Sequence, residues 1–114
     1  MIYIIDDDKS VLRGFQFLLE SAGFECKTHE SAENFLDNWK PNEKDLIILD
    51  MHMPGMCGCD LFEYLFKKEI QLPAIVITAY DEQESRERSR KYGAIAYLRK
   101  PVDGEALIDL IKYS

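Results

Sequence analysis

A chain of 114 residues, 46% of them apolar, is long enough for one hydrophobic core that buries roughly two-thirds of the unfolded surface, and too short for a second domain. Its formal charge of −7, from 14 Lys and Arg against 21 Asp and Glu, argues against this chain itself holding a nucleic-acid backbone, which needs clustered cations. No apolar run approaches the ~18 residues of a membrane span, Met1–Ile5 lacks the cationic start of a secretory signal, and the odd set Cys26, Cys57 and Cys59 suits a reducing compartment, so the chain reads as cytosolic.

The first element is the apolar run Ile2–Ile5, stopped abruptly by Asp6 and Asp7. Such a run reads as a strand buried on both faces, the kind found in parallel sheets covered by helices. A helix is predicted from Lys9 to about Ala22, because Val11, Leu12, Phe15, Leu18, Leu19 and Ala22 fall within a ~120° arc at 100° per residue. Gly23 then ends it as the residue after the cap. Phe24–Thr28 is mixed in polarity and predicts an edge strand, followed by a short helix begun by Ser31, carrying Phe35, Leu36 and Trp39 and closed by Pro41. Leu46–Leu49 is a third strand, stopped by Asp50. The turn-rich Met53-Pro54-Gly55-Met56-Cys57-Gly58 leads to a helix expected to turn Leu61, Phe62, Leu65 and Phe66 inward. Pro73 resets the chain for a strand over Ala74–Ile77, which ends in Thr78. The next helix, about Glu82 to Tyr92, is dominated by charge, has little to bury and is expected to be the most mobile. Ile95–Leu98 is the fifth strand, with Lys100 just beyond it, and a last helix from Asp103 to about Tyr113 has Asp103 as N-cap and Leu107, Ile108 and Ile111 inward.

Alternating strands and helices without repeats predict an α/β layer fold, and parallel sheets bind ligands at the carboxyl ends of their strands. Asp6, Asp7, Asp50, Thr78 and Lys100 therefore converge on one rim. Two adjacent strand-end acids with a third nearby meet the demand of Mg2+ for oxygen ligands. At ~5 Å and an effective dielectric of ~20, each carboxylate pair repels by about 3 kcal/mol, so a cation or Lys100 must offset the strain. Metal is then expected to stabilise the fold. Asp50 is also a candidate nucleophile toward phosphorus, with Lys100 neutralising the phosphoryl oxygens and Thr78 donating its hydroxyl. A cis bond between Lys100 and Pro101 would be one way to aim the ammonium inward, although most such bonds are trans.

Four separated segments, Ile5-Asp6-Asp7-Asp8, Leu49-Asp50-Met51-His52-Met53-Pro54-Gly55, Ile77-Thr78-Ala79 and Tyr97-Leu98-Arg99-Lys100-Pro101, resemble in order and spacing the receiver domain of two-component response regulators, over essentially the whole of 1–114. The resemblance implies a flavodoxin-like (βα)5 three-layer sandwich with a parallel five-stranded sheet of order 2-1-3-4-5. It implies Asp50 as phosphoacceptor, Asp7 and Asp50 as direct Mg2+ ligands, Asp6 acting through a metal-bound water, and the His52 carbonyl completing the protein ligands. Thr78 and Lys100 would contact the phosphoryl group and report its presence, and Tyr97 matches the aromatic that follows that movement.

The implied phosphodonor is a phosphohistidine on a sensor histidine kinase. Kinase docking in the family uses the first helix and the loop after strand five, which here offer Ser10, Gly14, Phe17 and Val102. The implied output surface is the fourth helix, strand five and the fifth helix, where Arg86, Arg88, Arg90 and Lys91 could pair with acids of a second copy in a phosphorylation-dependent homodimer. His52 and Tyr80 stand at positions that tune phosphoryl lifetime in the family, and a bulky Tyr80 is expected to slow hydrolysis. The segment from Arg99 to Leu107 resembles receivers that precede a LuxR-type helix-turn-helix, so the chain reads as a domain excised from a longer, transcriptional regulator. It would promote its own phosphorylation and dephosphorylation without being an enzyme on an external substrate.

Two rival readings stay open on the sequence. One is a haloacid dehalogenase-type phosphatase, although such enzymes usually carry a second acid two residues after the nucleophile, where His52 stands. The other is a phosphorylation-independent interaction module of the same fold. Cys57-x-Cys59 beside His52 also suggests a soft-metal pair. Against it, Cys59 falls where the third helix faces inward and only a short loop offers ligands.

Overall fold

The computed structural model describes residues 1–113. Five strands, β1 (Ile2–Ile5), β2 (Cys26–His29), β3 (Leu46–Asp50), β4 (Ala74–Thr78) and β5 (Ala96–Arg99), alternate with five helices, α1 (Lys9–Ser21), α2 (Ala32–Asn38), α3 (Gly58–Lys67), α4 (Gln83–Lys91) and α5 (Gly104–Lys112). All strand pairs are parallel and the sheet order is β2-β1-β3-β4-β5, so β1, β3 and β4 lie inside. The period of two in a strand sends alternate side chains to opposite faces. Ile5, Ile47, Leu49 and Val76 meet Phe35, Leu61, Phe62 and Leu65 on one side, while Ile4, Ile48, Ile75 and Ile77 meet Leu12, Leu19, Leu107 and Ile111 on the other. Helices α1 and α5 therefore cover one face, and α2 and α3 the other, which gives the three layers expected.

Local chemistry sets the element ends. Asp8 caps α1, its Oδ1 accepting from the Ser10 and Val11 amides, Ser31 Oγ accepts from the Asn34 amide, and Asp103 accepts from the Glu105 amide. Gly23, at φ +90°, follows α1 in a conformation that costs other residues a steric penalty. Gly58 opens α3 so close to β3 that a Cβ on it would lie 2.2 Å from the Asp50 carbonyl oxygen.

Several expectations are corrected. The second strand is Cys26–His29 and not Phe24–Thr28; Phe24 is partly buried against the α1/α5 core just before the strand. Strand five begins at Ala96 and Ile95 is exposed. Ala22 is the exposed cap of α1 and not part of its inward face. Phe66 is 53% exposed and rests its ring on Tyr92, because it lies about 90° round the helix from the centre of Leu61, Phe62 and Leu65. In α5 the buried Leu107 and Ile111 and the half-buried Leu110 pack against the core, whereas Ile108, about 100° from Leu107 and also half-buried, is not part of that cluster. Charge-rich α4 has little to bury, as expected: Ser85 and Ser89 are its buried residues, and the Ser89 hydroxyl donates to the Ser85 carbonyl at 2.8 Å. No described helix is long and apolar enough to cross a membrane.

Candidate functional site

The rim at the carboxyl ends of the strands brings Asp6, Asp7 and Asp50 together, with one carboxylate oxygen from each lying within 4.8 Å of the others. Pairing of β1 beside β3, with Ile5 opposite Leu49, fixes this juxtaposition. Asp6 and Asp50 are buried and Asp7 is exposed. Asp6 Oδ1 accepts from the Asp8 amide at 2.9 Å, and its Oδ2 accepts from Lys100 Nζ at 2.9 Å. The same ammonium lies 3.7 Å from Asp50 Oδ2, while Asp50 Oδ1 accepts from the His52 amide at 3.3 Å. Lys100 thus bridges two acids that precede it by 94 and 50 positions in the chain. The Lys100–Pro101 peptide bond is cis.

Burial pushes the Asp50 carboxyl up to about 6, helped by the neighbouring Asp6 charge and less by Asp7, while Lys100 and the His52 amide oppose the rise. For Lys100 burial works against the charge, but the hydrogen bond to Asp6 and the charges of Asp50, Asp6 and Asp7 outweigh it and hold the ammonium above its ordinary value. The cluster therefore carries excess negative charge that a single lysine only partly offsets. An oxygen-only donor set of this kind suits a hard divalent cation.

Thr78 is fully buried at the end of β4, next to the Asp50↔Ile77 pair, but its hydroxyl is turned into its own loop. It donates to the Tyr80 carbonyl at 2.8 Å and accepts from the Tyr80 amide at 3.1 Å. A backbone bond of 2.8 Å from the Lys100 amide to the Thr78 carbonyl ties the two residues together. The His52 ring stands edge-on to Tyr80 with centroids 5.6 Å apart, and its Nε2 is 3.8 Å from Glu82 Oε1. Tyr97 is half-buried beneath the Arg86 guanidinium, 6.0 Å from its ring centroid, and burial, then the Asp81 charge, push its hydroxyl pKa up.

The docking candidates divide. Gly14 and Val102 line a cavity of about 540 Å3 with Val11, Phe15, Leu18 and Pro101, and Lys100 reaches its edge. Phe17 is 77% exposed and does not line it, and the Ser10 hydroxyl donates to Asp8 Oδ1 at 2.7 Å within the α1 cap. Sequence reasoning missed Glu82 as the partner of the His52 ring, a pairing across 30 residues that no local pattern signals. It also missed that Arg86 binds Asp81, and that Arg88 binds Glu63 at 3.1 Å and approaches Asp60 at 4.0 Å.

A doubly wound parallel sheet of this order defines the flavodoxin-like class of α/β proteins, and the acidic cluster lies at the carboxyl ends of the strands, where that class binds its ligands. Within that class the chain belongs to the response regulator receiver domain family, whose family model matches residues 2–112. It is similar to the transcriptional regulatory protein FixJ of Azorhizobium caulinodans, 34% identical over 113 residues that make up 99% of this chain and 54% of that protein. Similarity extends to the DNA-binding transcriptional regulator NtrC of Klebsiella pneumoniae, 32% identical over 109 residues, 96% of this chain and 23% of that one. The solved structure of response regulator StyR superposes with a TM-score of 0.91 at 40% identity, covering 98% of this chain and 57% of that chain. The chain spans about half the length of FixJ and less of NtrC.

Proposed function

We propose that this chain is a phosphorylation switch in which a sensor histidine kinase transfers a phosphoryl group to Asp50 in a Mg2+-dependent step. The observation that carries the reading is the buried Asp50 carboxylate held between two other acids and the Lys100 ammonium. Asp6, Asp7 and Asp50, with the His52 carbonyl, are the groups that would hold Mg2+. When bound, that ion supplies positive charge against the phosphoryl oxygens.

The chain's own residues do the rest. An unprotonated Asp50 oxygen forms the new O–P bond as the P–N bond to the donor imidazole breaks, and the leaving nitrogen takes its electron pair and picks up a proton. Lys100, anchored by Asp6, places its charge beside the oxygens of the transferred group. Thr78 reaches that group only by giving up its bonds to Tyr80, so phosphorylation remodels the β4–α4 loop, and the Lys100 amide bond to Thr78 couples that loop to the end of β5. Tyr97 lies on β5 two residues before Arg99, the partner of Thr78 in the sheet, and the α4/β5/α5 face is where the change is read out.

The output is dimerisation or control of an attached domain, in keeping with the transcriptional regulators it resembles. Arg86 and Arg88 are engaged within the chain, so a dimer that uses α4 cations would draw first on Arg90 and Lys91. A haloacid dehalogenase-type reaction is not favoured, because His52 and not an acid stands two residues after Asp50, with its Nε2 3.8 Å from Glu82. Intact mass after acetyl phosphate, with Mg2+ or with EDTA, tests the proposal. A gain of about 80 Da only with Mg2+ is expected. No gain under either condition, with the sensor kinase as donor as well, would favour a phosphorylation-independent interaction module.

A further inference from the structure

The β3–α3 connection holds a second candidate site that the phosphoryl chemistry does not use. Of the four methionines and three cysteines in the chain, Met51, Met53, Met56, Cys57 and Cys59 fall within nine residues. Folding brings two of their sulfurs into contact, with Cys57 at the start of the same helix. The Cys59 thiol donates to the Met51 thioether at 3.5 Å, and Cys57, two residues before Cys59, is near enough for its charge to push the Cys59 thiol up. Met51 and Cys59 are buried, whereas Cys57 is half-buried and opens the group to solvent. We propose that Met51, Cys57 and Cys59 bind a soft monovalent cation of the copper(I) class, in the β3–α3 connection that follows Asp50.

Sulfurs sharing one ion at about 2.3 Å stand about 3.8–4.0 Å apart at tetrahedral to trigonal angles. The 3.5 Å pair is therefore within a few tenths of an ångström of ligating separation. Donor type selects the ion: thiolate and thioether ligands favour copper(I). Zinc is disfavoured because its structural sites want four ligands, usually with imidazole or further thiolates. His52 does not complete such a set, since its ring faces Tyr80 and Glu82, and Asp60, next to Cys59, points toward Arg88. Burial pushes the Cys59 thiol up to about 11, and the nearby Arg88 charge pulls the other way. The ion must therefore displace both thiol protons, so that one copper(I) enters, two Cys–S–H bonds break and two protons leave. Gly58 lies between the two cysteines, its amide donating to the Met51 carbonyl at 3.2 Å and its Cα pressed against the Asp50 backbone. An ion there would pin the start of α3 to the end of β3 beside Asp50.

Close sulfurs also arise as plain core filling, since a buried cysteine packs as a small apolar side chain. The whole chain, reduced and kept anaerobic, is titrated against the copper(I)–bicinchoninate complex. The expected result is withdrawal of one copper(I) per chain with release of two protons. Cys57→Ser, chosen because Cys57 makes no side-chain cap bond, should weaken binding by more than about 100-fold, and Met51→Leu by about 10-fold. Cys26→Ser, in the distant edge strand, should leave binding unchanged. The inference is overturned by failure to withdraw copper(I), by equal binding in Cys57→Ser, by loss of binding in Cys26→Ser, or by a Cys57–Cys59 disulfide forming in place of a metal complex.

Discussion

Strands β1 and β3, which end in the acids of the site, lie side by side inside the sheet, and every residue of β3 is buried. Strand β5 is an edge strand with no fully buried residue, and α4 beside it buries only two serines. The same rim thus joins a stiff part to a thinly packed one. Groups whose separation must hold to a fraction of an ångström sit on the former. The parts that the proposed switch would move, the Tyr80 loop, Tyr97 and α4, lie where few apolar contacts would resist rearrangement. Lys100 belongs to both regions, with its chain position in the β5 loop and its ammonium on Asp6.

The largest expected effect removes the acceptor: Asp50→Asn should take up no phosphoryl group from acetyl phosphate by intact mass, with its circular dichroism unchanged. Next, Lys100→Met leaves Asp6 without its cation and should cost about 2 kcal/mol in urea unfolding without metal, and most of the phosphorylation rate.

The pH dependence carries a definite sign. Asp50 holds its proton more tightly folded, at about 6, than its ordinary 3.8 allows unfolded, so its protonated form contributes stability below about pH 4 that is lost as pH rises to 6. In EDTA, the melting temperature of the parent should therefore fall relative to Asp50→Asn across pH 4 to 6, and Mg2+ should reverse the trend above pH 6. The smallest effect concerns the thin region: Arg88→Ala breaks the link from α4 to Glu63 and should cost less than about 1 kcal/mol, while amide exchange in α4 rises and in β3 does not.

Much of this contrast was legible in the sequence. A strand buried on both faces is a short, nearly pure apolar run, so Ile2–Ile5, Leu46–Leu49 and Ala74–Ile77 announced themselves and their terminal polar groups with them. Caps were legible for a similar reason, because Ser31, Asp103 and Gly23 act on backbone groups within three residues of themselves. Tertiary choices were not. Phe66 and Ile108 sit at the margins of apolar arcs, where only the packing partner decides burial. The Thr78 hydroxyl could face Asp50 or its own loop with equal local logic, and the loop holds it here. The cations of α4 looked free because their partners lie on another helix or in the preceding turn, as in Arg88 with Glu63, 25 residues away.

Peptide mapping distinguishes which acid of the three takes the phosphoryl group. After acetyl phosphate and Mg2+, borohydride reduces an acyl phosphate to an alcohol and marks the acceptor permanently for mass spectrometry. The mark is expected at Asp50 alone, with none in EDTA. A mark at Asp6 or Asp7, or equal marking without metal, would contradict the proposed Mg2+-dependent transfer to Asp50.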